Sequence, residues 1–228
     1  MGDLALYFAF MIPPLVIGLA VQAWLKRTFA KYSGVELASG LQGAQVAREI
    51  LDRNGLDAVP VETSPGGPLS DHYDPRKKSL HLSEPVYYPP TIAAAAVAAH
   101  ETGHALQDAR GYVPLKLRST MYPAVAFASS AWIWLLIIGA VLGALNLVAL
   151  ALVLYAVAVL FHVVTLPVEF NASRRAATQL RELGIVGAGE SAGVQKVLNA
   201  AALTYVAGAL AALSLLLYYA LIFFGNRD

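Results

Sequence analysis

The chain has 228 residues, of which 57% are hydrophobic and 14% charged, with a formal net charge of +1. Average soluble proteins carry about 45–50% apolar and about 25% charged residues, so this balance is that of a membrane protein. No basic stripe interleaves with aromatic residues, which leaves no support for a nucleic-acid role. The lack of cysteine removes disulfides, thiolate zinc ligands and cysteine catalysis together, so any transition metal must be held by nitrogen and oxygen.

The first candidate span covers about residues 4–25, with Pro13-Pro14 inside it. Lys26, Arg27 and Lys31 follow that span rather than precede it, which is the wrong polarity for a cleaved signal peptide and predicts a retained anchor. The two prolines predict a kink, tolerated in a membrane helix when neighbours satisfy the freed carbonyls. Beyond it, Ser39 is placed to cap a helix from about Gly40 to Asn54, ended by Gly55. Residues 59–62 (VPVE) and 78–84 (KSLHLSE) read as short strands, the second alternating Leu80 and Leu82 against Ser79, His81 and Ser83. Between them, TSPGGPLSDHYDPR has turn chemistry throughout. Thr91 is an N-cap candidate for a helix running to about Ala109, with Gly111 as its stop. Fifty residues between Arg118 and Glu169 then contain no Asp, Glu, Lys or Arg. They are too long for one span and divide at Gly143 to Asn146 into spans of about 121–142 and 147–168. Glu169 opens a helical continuation to Leu183, and a fourth span covers about 201–224.

The expected architecture is thus an α-helical integral membrane protein with about four transmembrane helices. Residues 1–228 form a single membrane-embedded domain with polar segments at about 26–120 and 169–200. Fifteen of the sixteen Lys and Arg fall in those polar segments. Basic residues near span ends favour the cytoplasm, which places both segments there, in an inner-membrane protein with both termini outside. An even number of crossings separates His100 from Glu169, so both belong to one face of the bilayer.

The chemistry centres on AAHETGHALQDARG, residues 98–111. On a helix, His100 and His104 project from one face about one turn apart, while Glu101 sits about 100° around. That geometry lets two imidazoles share one ion while the carboxylate reaches a water on it, the physical content of H-E-x-x-H. A structural helical histidine pair is the plainer alternative. Catalytic zinc usually takes a third protein ligand, and Glu169, a carboxylate at the mouth of a span, is the leading candidate. A carboxylate there needs a partner, and Arg174 or Arg175 would serve as well as a metal.

DHYDP at 71–75, LHLSEPVY at 80–87, AAAAVAAHETGHALQDARGY at 93–112 and PVEFNASRRA at 167–176 together resemble the YugP-like family of membrane zinc metallopeptidases, relatives of the HtpX-like glutamate-ligand enzymes. The resemblance covers nearly the whole chain. It implies a zincin-like α+β peptidase lobe carrying HExxH on a helix, with one zinc ion bound by His100, His104 and Glu169 and with Glu101 as the catalytic carboxylate. HtpX-like enzymes place an aspartate four residues after the ligand glutamate; here Ser173 stands at that position, which points to Asn171, Asp71 or Asp74 as the support for a ligand histidine instead.

The reaction expected from zinc chemistry is peptide-bond hydrolysis by a metal-activated water with Glu101 as general base. His72, Tyr73, Arg174 and Arg175 are candidate oxyanion or substrate contacts. The KSLHLSE strand is a candidate for strand addition by an extended substrate. His81 is expected at an exposed or rim position, and His162, inside a span, as a hydrogen-bonded bundle histidine. The small residues from Ala93 to Ala99 suit close helix packing. Substrates are expected to be membrane-associated or unfolded protein segments near the inner leaflet. The competing reading is a catalytically idle, zinc-tied membrane scaffold, and a transporter is disfavoured by the lack of repeated halves.

Overall fold

The computed structural model describes residues 2–67 and 69–225. Among the described residues, seven helices and three short strands follow in the order α1 (Gly2–Ser33), α2 (Gly43–Arg53), β1 (Val61–Thr63), β2 (His72–Asp74), β3 (Ser79–Leu82), α3 (Glu84–Tyr87), α4 (Ile92–Ala109), α5 (Val113–Val141), α6 (Leu145–Glu182) and α7 (Ala188–Gly225). Four helices, α1, α5, α6 and α7, are long and apolar enough to cross a membrane. Each overruns the expected span: α5 begins eight residues before Met121, and α7 thirteen before Ala201. Polarity decides where a helix leaves the apolar phase, whereas the helix itself continues until a cap or a glycine ends it. Contacts divide the chain into two compact units, one of Met1–Val21, Lys116–Pro167 and Thr204–Asp228, the other of Gln22–Leu115 and Val168–Leu203.

In the first unit one of the two prolines, Pro14, finds its compensation. Pro14 has no N–H to offer the carbonyl of Phe10 four residues earlier. Ser214 of α7 donates its hydroxyl to that carbonyl at 2.6 Å, which satisfies a group that hydrocarbon would leave stranded. The hairpin between α5 and α6 turns at Gly143, where φ is +63°, as expected of a left-handed helix stop. Gly139 lets the two arms approach closely, since a Cβ there would lie 2.9 Å from the Val148 backbone nitrogen. The ring of His162 rests against Gly208 of α7.

The second unit holds the sheet. Its strand order is β1-β3-β2, with β1 parallel and β2 antiparallel to β3. β3 is therefore central, with both edges already paired. This corrects the expectation that KSLHLSE receives an extended substrate: a strand with two partners has no backbone groups to spare. β2 lies where only a loop was expected, because its pairing depends on β3 rather than on local propensity. Leu80 and Leu82 point to the helices and are fully buried with Ala47, Val86 and Ala98; burial of each leucine contributes about 1.5–3 kcal/mol. Ser79 and Ser83 are buried as well. His81 is partly buried, as a rim position requires: its side chain retains 16% of its accessible surface, and its ring stacks on that of exposed His72 with centroids 4.8 Å apart.

α2 starts at Gly43, three residues later than expected. Gly40 has φ +69° and so cannot begin a right-handed helix. The turn closes instead through the Gln42 N–H, which donates to Gln45 Oε1 at 2.9 Å. α4 begins as the sequence indicates, with Thr91 Oγ1 accepting from the Ala94 N–H at 3.2 Å. It ends before Gly111, where φ is +63°. Ala93 to Ala96, Ala98 and Ala99 are all fully buried. With so little side chain on this stretch, its neighbours pack against it closely, and α4 becomes the central helix of this unit.

Candidate metal centre

α4 carries His100, Glu101 and His104, and α6 carries Glu169. The close approach of these helices is set at Gly103, where a Cβ would lie 2.6 Å from the Ala172 carbonyl oxygen. Only hydrogen fits there. Consequently Glu169, almost one turn before Ala172, is brought against the histidine face of α4.

The Glu169 side chain is 1% exposed, with Oε2 3.2 Å from His100 Nε2 and 3.7 Å from His104 Nε2. Ligand atoms of His100, His104 and Glu169 all lie within 4.8 Å of one another, the one such group of three among the described residues. Bonds of about 2.0–2.1 Å in a tetrahedral zinc site separate the donors by about 3.3–3.4 Å. The observed spacings bracket that edge and exceed the roughly 2.7–2.9 Å of a tight charge-assisted hydrogen bond. Two imidazole nitrogens and one carboxylate oxygen, buried and converging, fit zinc on donor chemistry and on spacing.

Both rings are held from behind. His104 Nδ1 lies 3.0 Å from Gln107 Oε1, and His100 Nδ1 lies 3.1 Å from Ser173 Oγ. In each ring this leaves Nε2 directed at Glu169. The Gln107 amide in turn donates to the Val168 carbonyl at 2.8 Å and to Asn171 Oδ1 at 3.0 Å. This corrects the expectation that Asn171, Asp71 or Asp74 supports a ligand histidine in place of Ser173: the Ser173 hydroxyl reaches the His100 ring itself, from the place in the helix where an aspartate would. Asn171 acts one step further out, through Gln107. Asp71 instead accepts from the Ser83 N–H and hydroxyl at the start of α3. Asp74 accepts from the N–H of Arg76 and Lys77 in the turn to β3. Gln107 escaped the sequence reading, although it lies three residues after His104 and so on the same helix face.

The electrostatics follow from burial against pairing. For Glu169, just beyond the apolar stretch of α6, burial disfavours the charge, but His100 and His104 outweigh it and hold the carboxyl well below the usual range. For His104 burial opposes protonation, yet Glu169, Glu101 and Gln107 together raise its pKa above 6.5. The pocket therefore already favours a cation. Glu101, 9% exposed, contributes its charge to His104.

Of the four candidate oxyanion contacts, Tyr73, His72 and Arg175 make bonds elsewhere. Tyr73 donates its hydroxyl to Asp108 Oδ2 of α4 at 2.9 Å, and burial with that bond pushes the phenol well above its ordinary range. His72 is exposed on β2, with Nδ1 2.8 Å from the Ser70 carbonyl. Arg175 donates to Asn171 Oδ1 at 2.7 Å and sits over the Tyr112 ring. Arg174 is exposed, about 140° around α6 from Glu169. None of these bonds is made to the three converging ligand atoms.

A family described as putative neutral zinc metallopeptidases matches residues 7–224. The chain belongs to that family. It is similar to a Bacillus subtilis (strain 168) protein named "Putative membrane protease YugP", 48% identical over 223 residues that cover 98% of this chain and 99% of that one. No solved structure matches the chain.

Proposed function

We propose that this protein is a zinc-dependent membrane endopeptidase in which His100, His104 and Glu169 hold the ion and Glu101 is the general base. The observation that carries the reading is the buried Glu169 carboxylate reaching both Nε2 atoms from a second helix. A site made only to tie helices together would close with four protein ligands, whereas among the described residues three converge here, beside the buried Glu101 carboxylate on the residue after His100. When bound, zinc would polarise the scissile carbonyl and acidify a water. Glu101 would take the proton from that water and deliver it to the leaving amine. The zincin-like lobe would be the unit of Gln22–Leu115 and Val168–Leu203, with α4 as its HExxH helix.

An extended substrate would add to the outer edge of β2. That strand has one sheet neighbour, and Tyr73 ties it to Asp108 on α4, the helix that carries the histidines. α6 runs unbroken from apolar residues into the site, with Glu169 directly after Val168. We therefore assign membrane-associated or unfolded protein segments near the inner leaflet as substrates, cleaved on the cytoplasmic side.

The test is proteolysis of a membrane-anchored reporter by purified protein and by Glu101→Gln, with zinc measured in both. Loss of cleavage with zinc retained supports the peptidase. Zinc retained with no cleavage by either protein favours the scaffold, and equal cleavage by both overturns the role of Glu101.

A further inference from the structure

Bound to a metal through Nε2, an imidazole must carry its proton on Nδ1, and some neighbour must enforce that tautomer. Ser173 does not enforce it for His100, because a hydroxyl can rotate to donate or accept. The environment of His104 is different. Arg175 Nε–H can only donate, so Asn171 presents its carbonyl oxygen to it at 2.7 Å. That same oxygen accepts from Gln107 Nε2 at 3.0 Å, and Gln107 Nε2 also meets the Val168 main-chain carbonyl at 2.8 Å. Both partners of the Gln107 amide nitrogen are acceptors. Reversing the amide would set its oxygen against two oxygens inside a fully buried site, which is costly. Gln107 Oε1 is thereby committed to His104 Nδ1, and an oxygen with no proton can only accept.

We infer that Gln107 is a positioning residue that fixes the His104 ring as its Nδ1–H tautomer, with Asn171 and Arg175 backing its orientation. The inference rests on the reading of His104 as a zinc ligand and deepens it: one ligand is held ready for metal before any ion arrives, while the other is free to adjust.

The direct measurement is the nitrogen NMR of histidine-labelled, metal-stripped protein at alkaline pH, with His104 assigned by its loss in His104→Gln. The Nδ1–H form is expected, and the Nε2–H form overturns the inference without any Gln107 variant having to fold. Gln107→Met keeps the length and removes the acceptor; it should give mixed tautomers and weaken zinc binding about 10–100-fold. Gln107→Glu keeps the acceptor, so it should hold the tautomer and most of the affinity even if its thermal unfolding temperature falls. Equal loss of affinity in both variants, or none in Gln107→Met, overturns the inference. Failure of the wild-type protein to bind zinc would instead remove the metal reading, and the tautomer would still be decided by the metal-free spectrum.

Discussion

Gly103 and Ala172 form the contact on which the site depends: the Cα of one helix faces the carbonyl oxygen of the other with room for hydrogen alone. Gly103→Ala should move α6 away from α4 and carry Glu169 with it. Overpacking of this kind costs about 1–3 kcal/mol. Zinc affinity should fall together with the thermal unfolding temperature, and calorimetric zinc titration beside a melting curve checks both. Unchanged zinc affinity would show that Glu169 does not depend on this approach.

Zinc and protons should compete for His104. Its pKa is raised in the metal-free fold, so its contribution to stability is fully present below about pH 6.5 and is lost as pH rises through the raised value. Glu169 has a lowered pKa, so its contribution is present above about pH 4.5 and is lost as pH falls through that lowered value. Zinc requires neutral His104. The extra thermal stability conferred by zinc should therefore grow as pH rises from below about 6.5 through the raised value, while the metal-free protein loses the His104 contribution over the same range. Melting curves with and without zinc across that range test the sign.

Ser214→Ala should strand the Phe10 carbonyl that Pro14 leaves without its helical partner. Interhelical hydrogen bonds in membranes are worth about 0.6–2 kcal/mol. A stability loss of that size is expected, with no change in zinc content. Restoring residue 14 to a backbone donor, as Pro14→Ala, should reduce the penalty of Ser214→Ala when the two are combined. Additive losses would show that the hydroxyl does not compensate for the proline.

The cysteine-free chain makes the proposed sidedness accessible to labelling. Ala144→Cys, in the turn between α5 and α6, should react with an impermeant maleimide in intact cells with a permeable outer envelope. Asp57→Cys, exposed after α2, should react only after lysis. The reverse pattern would place the candidate metal centre outside.

Much of this protein is decided by local pattern. The apolar runs, the Thr91 cap and the glycines at 55, 111, 143 and 184 mark the helices and their ends, because helix formation and termination depend on residues within a turn or two. The i,i+4 spacing likewise puts His100 and His104 on one face with no help from the rest of the chain. Tertiary structure alone determined the remainder. The pairing of β2 with β3 depends on a partner several residues away, and so does the central position of β3. That Ser173 and Gln107 stand behind the two rings depends on how closely α4 and α6 approach, a distance set by one missing Cβ at Gly103. Periodicity along a chain records which side of a helix a residue occupies. It carries no information on which other helix that side will meet, and the convergence of Glu169 on the two histidines is a fact of that second kind.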